Sequence, residues 1–394
     1  MEKMKKALKT ITTAIIFLSL TGCTQEQILR EAEPEVIEQQ IEIEEQIEEQ
    51  IEEIDNYWQN GVYTYYYNQL TSEQQNIYNQ SYETVLNMKE STEIKIGSSS
   101  LTQEDISIIF RALRYDHTEI YWIQGYKYII DGNSLYFYPT YIVNTEEKEL
   151  YDNQLKTWTE TALASIDSNM TDFEKELEIY DFLVTTTKYS LDADMNQSLI
   201  SVVKGETVCL GYTKAMKYLC DRSGLGCVVV EGISKEGVAH SWNKIKINEK
   251  WYNIDVTNSN TAQIFSDSYD MFNITDELIS NRYIEITIGS NSDLGEKSGS
   301  GSITFEYPVA DSIEADYYNM KGLYINSLEE IETIVSNHIE DGTVTIRIGD
   351  NCDMLKDYMR NIKFRDSDGN IINVKSLSYV NINHIRLLEI NWSR

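Results

Sequence analysis

Two spacings of apolar residues alternate through the middle of this chain. Residues 56–150 open with helical signals and give the short run Ile94-Lys95-Ile96-Gly97. Helical spacing then covers Glu104–Leu113, and strand-like runs follow at Tyr126–Ile130 and Ser134–Tyr138. Further on, Ala215, Met216, Tyr218 and Leu219 repeat at helical intervals, and Asp221-Arg222-Ser223-Gly224 reads as the stop. Gly226–Gly232 has strand character. Ala239–Ile247 alternates as a strand, Asn248-Glu249-Lys250 makes a hairpin turn, and Trp251–Thr257 returns as a second strand. Beyond 302 the pattern predicts strand, helix, strand, helix and a last strand: Ser302–Tyr307, Ser327–Ile339, Thr343–Gly349, Met354–Ile362 and Arg386–Trp392. The reading is of an α+β chain, with a small α+β module as its last part.

The ends divide the chain. Lys3, Lys5, Lys6 and Lys9 precede the apolar run Ile11–Leu20, and Leu20-Thr21-Gly22-Cys23 places small residues before a cysteine. This reads as a secretion signal over 1–22, too short for a comfortable membrane span. Its end resembles the bacterial lipobox, which implies lipidation of Cys23 and an extracytoplasmic protein held to the cell membrane by its acyl chains. Residues 23–55 are dominated by Glu and Gln, with Ile37, Ile41, Ile47, Ile51 and Ile54 near helical spacing: an acidic helical stalk or spacer. Whether that stripe self-associates stays open, as does the oligomeric state. Residues 56–288 hold the motif-bearing region with its N-terminal extension. A Gly/Ser linker follows over 289–302, and a small α+β module over 303–394.

Charge and cysteine content narrow the function. The formal net charge is −31, and loss of residues 1–22 removes four lysines and one glutamate, giving −34. That excludes nucleic acid as a partner and leaves membrane attachment to lipid rather than to basic residues. Of five cysteines, Cys23 is assigned to lipidation. Cys209, Cys220, Cys227 and Cys352 show no CxxC or Cys/His metal spacing, so no structural metal is expected. Cys220 and Cys227 could bridge across a helix end; two buried thiols are the plainer reading. The many tyrosines between 56 and 150 read first as core and cross-strand residues. His338 and His384 have no recognisable partners.

The chemistry gathers on three residues. Cys209 stands at the predicted helix start, after the loop Lys204-Gly205-Glu206-Thr207, where free amides and the positive dipole end stabilise a thiolate and can serve an oxyanion. His240 opens a strand, and Asp255 lies on the strand returning toward it, so the two are expected side by side. In these roles Cys209 attacks a carbonyl, His240 moves the proton and Asp255 orients the imidazole, which amounts to acyl transfer through a thioester. Taken singly, each residue reads as a core or capping side chain. Jointly, their order and local context favour the enzyme.

The blocks Val208-Cys209-Leu210-Gly211-Tyr212, Ala239-His240-Ser241-Trp242-Asn243 and Trp251–Thr257 closely resemble the three motif blocks of the bacterial transglutaminase-like superfamily. Tyr66–Leu70, Asp116–Trp122 and Asp181–Leu183 are similar to recurring segments of its surface-anchored members. The resemblance covers about 60–275. It implies a papain-like core, a Cys-bearing helix packed on an antiparallel sheet that bears His and Asp, with Cys209, His240 and Asp255 as catalytic triad. Family members include crosslinkers, peptidases, amidases and inactive copies. The expected activity is cleavage of peptide or amide bonds in a surface or extracellular protein or peptide substrate, with no organic cofactor. Protein crosslinking and a non-catalytic scaffold are the alternatives. Calcium dependence does not transfer, since no matching acidic loop is present. Tyr189 is a weak candidate for the side chain that completes an oxyanion hole.

Overall fold

The computed structural model describes residues 58–97, 101–261, 264–265, 269–286, 305–349, 355, 358, 363–365 and 369–393. The expected signal peptide, Cys23, the stalk and the whole Gly/Ser linker lie outside these residues, as does most of the helix expected over 354–362. The chain forms two compact units, 1–60 and 61–394.

The first half of the second unit is a helix pair on a small sheet. Helix α1 (Ser72–Leu86) and helix α2 (Gln103–Asp116) each begin with a capping box, from Thr71/Gln74 and Thr102/Asp105. Between and after them run β1 (Thr92–Lys95), β2 (Ile123–Asp131) and β3 (Ser134–Tyr141), an antiparallel sheet ordered β1-β3-β2. The tyrosines here are largely structural, and Tyr66 and Tyr78 are fully buried. Asp116, at the end of α2, accepts the Tyr66 and Tyr67 amides at 3.1 and 2.9 Å and the Tyr78 hydroxyl at 3.0 Å. A buried carboxylate is tolerable only with such partners.

Helices α3 (Thr145–Ala162) and α4 (Asp172–Thr186) lead to the short strand β4 (Lys188–Tyr189), helix α5 (Leu199–Val203) and strand β5 (Glu206–Thr207). Strands β4 and β5 pair in parallel, with Tyr189 opposite Thr207. Helix α6 (Cys209–Ser223) follows at once and ends on Gly224 in the left-handed conformation, φ 74°, a C-terminal cap that favours glycine. Every residue of Gly211–Asp221 is buried. The helix is therefore the centre of the domain rather than a surface helix, and its two buried lysines need partners. Lys217 finds Asp221 at 3.0 Å and the Tyr63 carbonyl at 2.9 Å.

The sheet under α6 is antiparallel, ordered β8-β7-β6-β9 from β6 (Cys227–Ser234), β7 (Ala239–Ile247), β8 (Lys250–Ile254) and β9 (Tyr283–Glu285). Asn248 and Glu249, at φ 50° and 66°, form the tight turn between β7 and β8. Two expectations need correction. The strand expected over Trp251–Thr257 stops at Ile254, and Val256–Thr261 is a helix, α7. The described part of the expected strand Ser302–Tyr307 is not a strand; residues 305–310 cross the domain without regular pairing, with Phe305 buried and the Pro308 carbonyl accepting Lys244 Nζ at 2.8 Å.

The last part contains the short helices α8 (Asp276–Ile279) and α9 (Tyr317–Met320), then β10 (Tyr324–Ile325), α10 (Glu330–Asn337), β11 (Thr343–Ile348), β12 (Asn373–Ile382) and β13 (Ile385–Ser393). Its sheet runs β10-β11-β13-β12, with β10 parallel to β11 and the other pairs antiparallel. Strand β12 was not among the expected elements. The two histidines of this part have structural settings: His338 caps α10, its Nδ1 2.8 Å from the Ile334 carbonyl, and His384 sits in the β12–β13 turn at φ 64°. Tyr318, Ile385 and Leu387 share a core cluster with Val230 and Trp242, so this sheet packs on the central one. Among the described residues no helix is long and apolar enough to cross a membrane.

Candidate active site

The segment before Cys209 is tied down by polar contacts. The Asn196 carbonyl accepts the Val208 amide at 3.1 Å and the Thr207 hydroxyl at 2.8 Å, while Thr207 Oγ1 lies 2.6 Å from Ser201 Oγ. Helix α6 then starts with no side-chain cap; the Gly211 amide donates to the Val208 carbonyl at 3.0 Å, which leaves the amides of Cys209 and Leu210 as the first-turn donors with no carbonyl one turn back. Gly211 is dictated by the same packing: a Cβ there would fall 1.8 Å from Thr207 Oγ1. Cys209 is thus held at the helix start, half-buried.

His240 sits near the start of β7, opposite Gly232 of β6. Its Nε2 lies 2.8 Å from Asp255 Oδ2, and Asp255 is completely buried. With Nε2 committed, Nδ1 is the nitrogen left for the thiol, to which the ring is hydrogen-bonded. Asp255 is not a strand residue. It caps α7, with Oδ1 accepting the Asn258 amide at 3.1 Å, and its own amide donates to the Met271 carbonyl at 3.1 Å. The capping geometry frees Oδ2 for the imidazole.

The electrostatics favour a thiolate–imidazolium pair. Burial alone pushes His240 down, but the charge and hydrogen bond of Asp255, reinforced by Cys209, lift it to about 10. Burial alone raises the Cys209 thiol; His240 by hydrogen bond and charge, then Ser241, overcome this and lower it.

Among the neighbours of the site, Tyr283, Asn258, Asp270 and Arg282 had no signal in the sequence. The Tyr283 ring stacks on His240 with centroids 4.3 Å apart, and Trp242 stacks on Tyr283 at 5.4 Å. Trp242 is fixed by Nε1 donating to Asn253 Oδ1 at 2.9 Å. Gly232 makes this stack possible, because a Cβ there would lie 2.6 Å from both the Trp242 ring and the Ile284 carbonyl. Tyr283 comes from β9, some forty residues along the chain from His240, which is why local patterning could not find it. Asn258 extends the network, donating to Asp270 Oδ2 at 3.1 Å and accepting from Arg282. The β4–β5 pairing brings Tyr189 beside Cys209; burial, then the Cys209 charge, raise the Tyr189 pKa.

Cys220 and Cys227 are buried and free. Among the described residues no group of three or more His, Cys, Asp and Glu side chains could hold a metal ion.

Residues 160–256, which span Cys209, His240 and Asp255, match the model of the transglutaminase-like superfamily core. That segment belongs to the transglutaminase-like superfamily. The fold is accordingly a mixed helix-and-sheet one with a transglutaminase-like domain. The chain is also similar to two solved structures. One is a TGase, at 18% identity and a TM-score of 0.27, over 37% of this chain and 47% of that one, so this chain spans about half the length of that relative. The other is a candidate cysteine protease from Cytophaga hutchinsonii, at 10% identity and a TM-score of 0.26, over 48% of this chain and 79% of that one. No curated protein sequence matches the chain.

Proposed function

We propose that this protein is a cysteine-dependent acyl-transfer enzyme that cleaves peptide or amide bonds through a thioester. The observation that carries the reading is the half-buried thiol at a helix start, hydrogen-bonded to an imidazole whose far nitrogen is locked by a buried carboxylate. The Cys209 thiolate attacks the carbonyl carbon. His240 gives its proton to the leaving amine as the C–N bond breaks, then takes a proton from the incoming water as the C–S bond breaks. Asp255 keeps the ring oriented and stabilises its cation, while Tyr283 walls the ring on one face. The amides at the α6 start and the Tyr189 hydroxyl are the donors offered to the oxyanion.

Acyl-enzyme trapping tests this. Incubation with activated acyl esters should add one acyl group to Cys209, detected by intact mass, and hydroxylamine should accelerate its release. Tyr189→Phe should slow acylation by roughly tenfold or more, as loss of an oxyanion donor does, and leave alkylation of Cys209 unchanged. An acyl-enzyme that turns over only when a primary amine is supplied, never with water, would reassign the enzyme as a crosslinker. Absence of any acyl-enzyme would leave the scaffold reading.

We also propose that the enzyme works outside the cytoplasm, anchored by lipid on Cys23, on the strength of the Leu20-Thr21-Gly22-Cys23 motif after a basic and apolar leader. Cys23→Ala should move the protein from the membrane fraction to the soluble one or leave an unprocessed precursor. A variant that fractionates and migrates like the wild type would refute the anchor.

A further inference from the structure

Behind the segment that precedes Cys209 lies a cavity of about 370 Å³, a size suited to a small molecule. Its walls are unusual for so acidic a chain. Asp and Glu outnumber Lys and Arg 64 to 33, yet no carboxylate lines this cavity, while Arg114 of α2 and Lys214 of α6 both do. The other titratable groups at its wall are already engaged: His117 by Glu119 at 2.8 Å and by stacking on Tyr82, and Tyr121 through its hydroxyl, which donates to Asp152 at 2.8 Å. Ile120, Ile123, Ile142 and Met195 supply an apolar side, and the exposed Gln124 and Gln197 open it to solvent.

Lys214 is 8% exposed, and its ammonium donates to the Gln197 carbonyl at 2.9 Å. An ammonium has three donors and a full charge, and a single neutral carbonyl compensates neither. Burial, and after it the positive charge of Arg114, push Lys214 down to about 7, with Glu231 opposing. Two cations converging on a half-apolar cavity are electrostatically incomplete, and an anion between them would complete them.

We propose that this cavity binds a small carboxylate with an apolar body, its carboxylate seated between Arg114 and Lys214 and its body against the isoleucine wall. The site is distinct from the Cys209 chemistry and does not depend on it. It shares a wall with that site, however. Met195, at φ 54°, lines the cavity in a strained conformation, Gln197 accepts from Lys214, and Asn196 between them holds the Thr207 hydroxyl and the Val208 amide. A ligand that draws Lys214 away from Gln197 acts on the segment that positions the thiol.

Titration calorimetry on the intact protein tests the assignment with three probes: N-acetyl-leucine, its neutral amide N-acetyl-leucinamide, and inorganic phosphate. N-acetyl-leucine should bind, the amide and phosphate should bind at least about tenfold more weakly, and both Lys214→Met and Arg114→Gln should weaken N-acetyl-leucine by a similar factor. Lys214→Met keeps the buried stem and removes only the charge. Should it fail to fold, Arg114→Gln at a half-buried position carries the test. Equal binding of the amide would overturn the role of the cations, and equal binding of phosphate would overturn the role of the apolar wall. No binding of N-acetyl-leucine, or binding untouched by either substitution, would overturn the site. Saturating N-acetyl-leucine should also change the rate of Cys209 alkylation in the wild type but not in Arg114→Gln; an unchanged wild-type rate would overturn the link to the thiol.

Discussion

Replacing His240 by alanine should slow alkylation of Cys209 at pH 7 by on the order of 10- to 100-fold, without unfolding the domain. The thiol is half-buried, and burial by itself raises its pKa; the largest opposing influences are the hydrogen bond and the charge of His240. With the imidazole gone, only Ser241 and the helix amides favour the anion, so the thiolate fraction at neutral pH falls about tenfold for each unit the pKa rises. In the wild type the lowered Cys209 and the raised His240, at about 10, bracket a window in which the ion pair is the resting state. Alkylation should therefore begin below the ordinary thiol range and stay level until close to pH 10. The alanine variant should show a single rise displaced to higher pH. The same linkage has a stability side with a definite sign. A folded-state pKa raised above the unfolded value makes the His240–Asp255 interaction fully stabilising below about pH 6.5, and that contribution is lost as pH rises through about 10. Superimposable alkylation profiles for the two proteins would remove His240 from the activation of the thiol and with it the main support for the enzyme reading.

What the sequence made legible follows the range of the forces involved. Cys209 at a helix start and the stop at Gly224 are local events, written in adjacent residues, and both appear in the structure. Asp255 was legible as a residue but not in its setting. The strand reading of Trp251–Thr257 extended the alternation of β8 too far, whereas the Asp255-Val256-Thr257-Asn258 run is a capping sequence whose aspartate bonds the amide three residues on. Tyr283, Arg282 and Asp270 reach the site only because β9 returns to pair with β6 and because the 270–274 segment packs behind β8. No local periodicity carries that information. Strand β12 was missed for a different reason. Half of its residues Asn373–Ile382 are polar and none is fully buried on either face, so the apolar alternation that reveals a strand is weak. Nor does the sequence show that the last sheet leans on the first: Tyr318 and Leu387 look like ordinary core positions until they are seen sharing a cluster with Trp242.

That contact makes a second large effect predictable. Arg347 of β11, far from Cys209 in the chain, is 3% exposed. It forms an ion pair with Asp316 through Nη1, and its Nη2 donates to the Asp270 carbonyl at 2.7 Å. Asp270 in turn accepts from Asn258, whose amide is bonded to Asp255. Arg347→Met should destabilise the protein by about 3–5 kcal/mol at pH 7, because removing one member of a buried pair leaves the other charge uncompensated. The direction with pH distinguishes this mechanism from simple loss of packing. Burial already raises the Asp316 pKa against the opposing charge of Arg347; without the arginine it rises further, and the carboxyl must be protonated to stay buried. A raised folded-state pKa stabilises at pH below the unfolded value and loses that contribution as pH rises, so the deficit of the variant should shrink on acidification toward pH 4 and be largest near neutrality. Denaturant titration at both pH values measures it. Arg347→Met combined with Asp316→Leu should recover much of the loss, since an apolar pair replaces a charged one. If the single variant lost equally at both pH values, the ion pair would be incidental and packing alone would join the two sheets. If instead stability behaves as expected and Cys209 alkylation slows in the folded variant, the last sheet is a positioning element for Asp255, acting through Asp270 and Asn258 without touching a substrate.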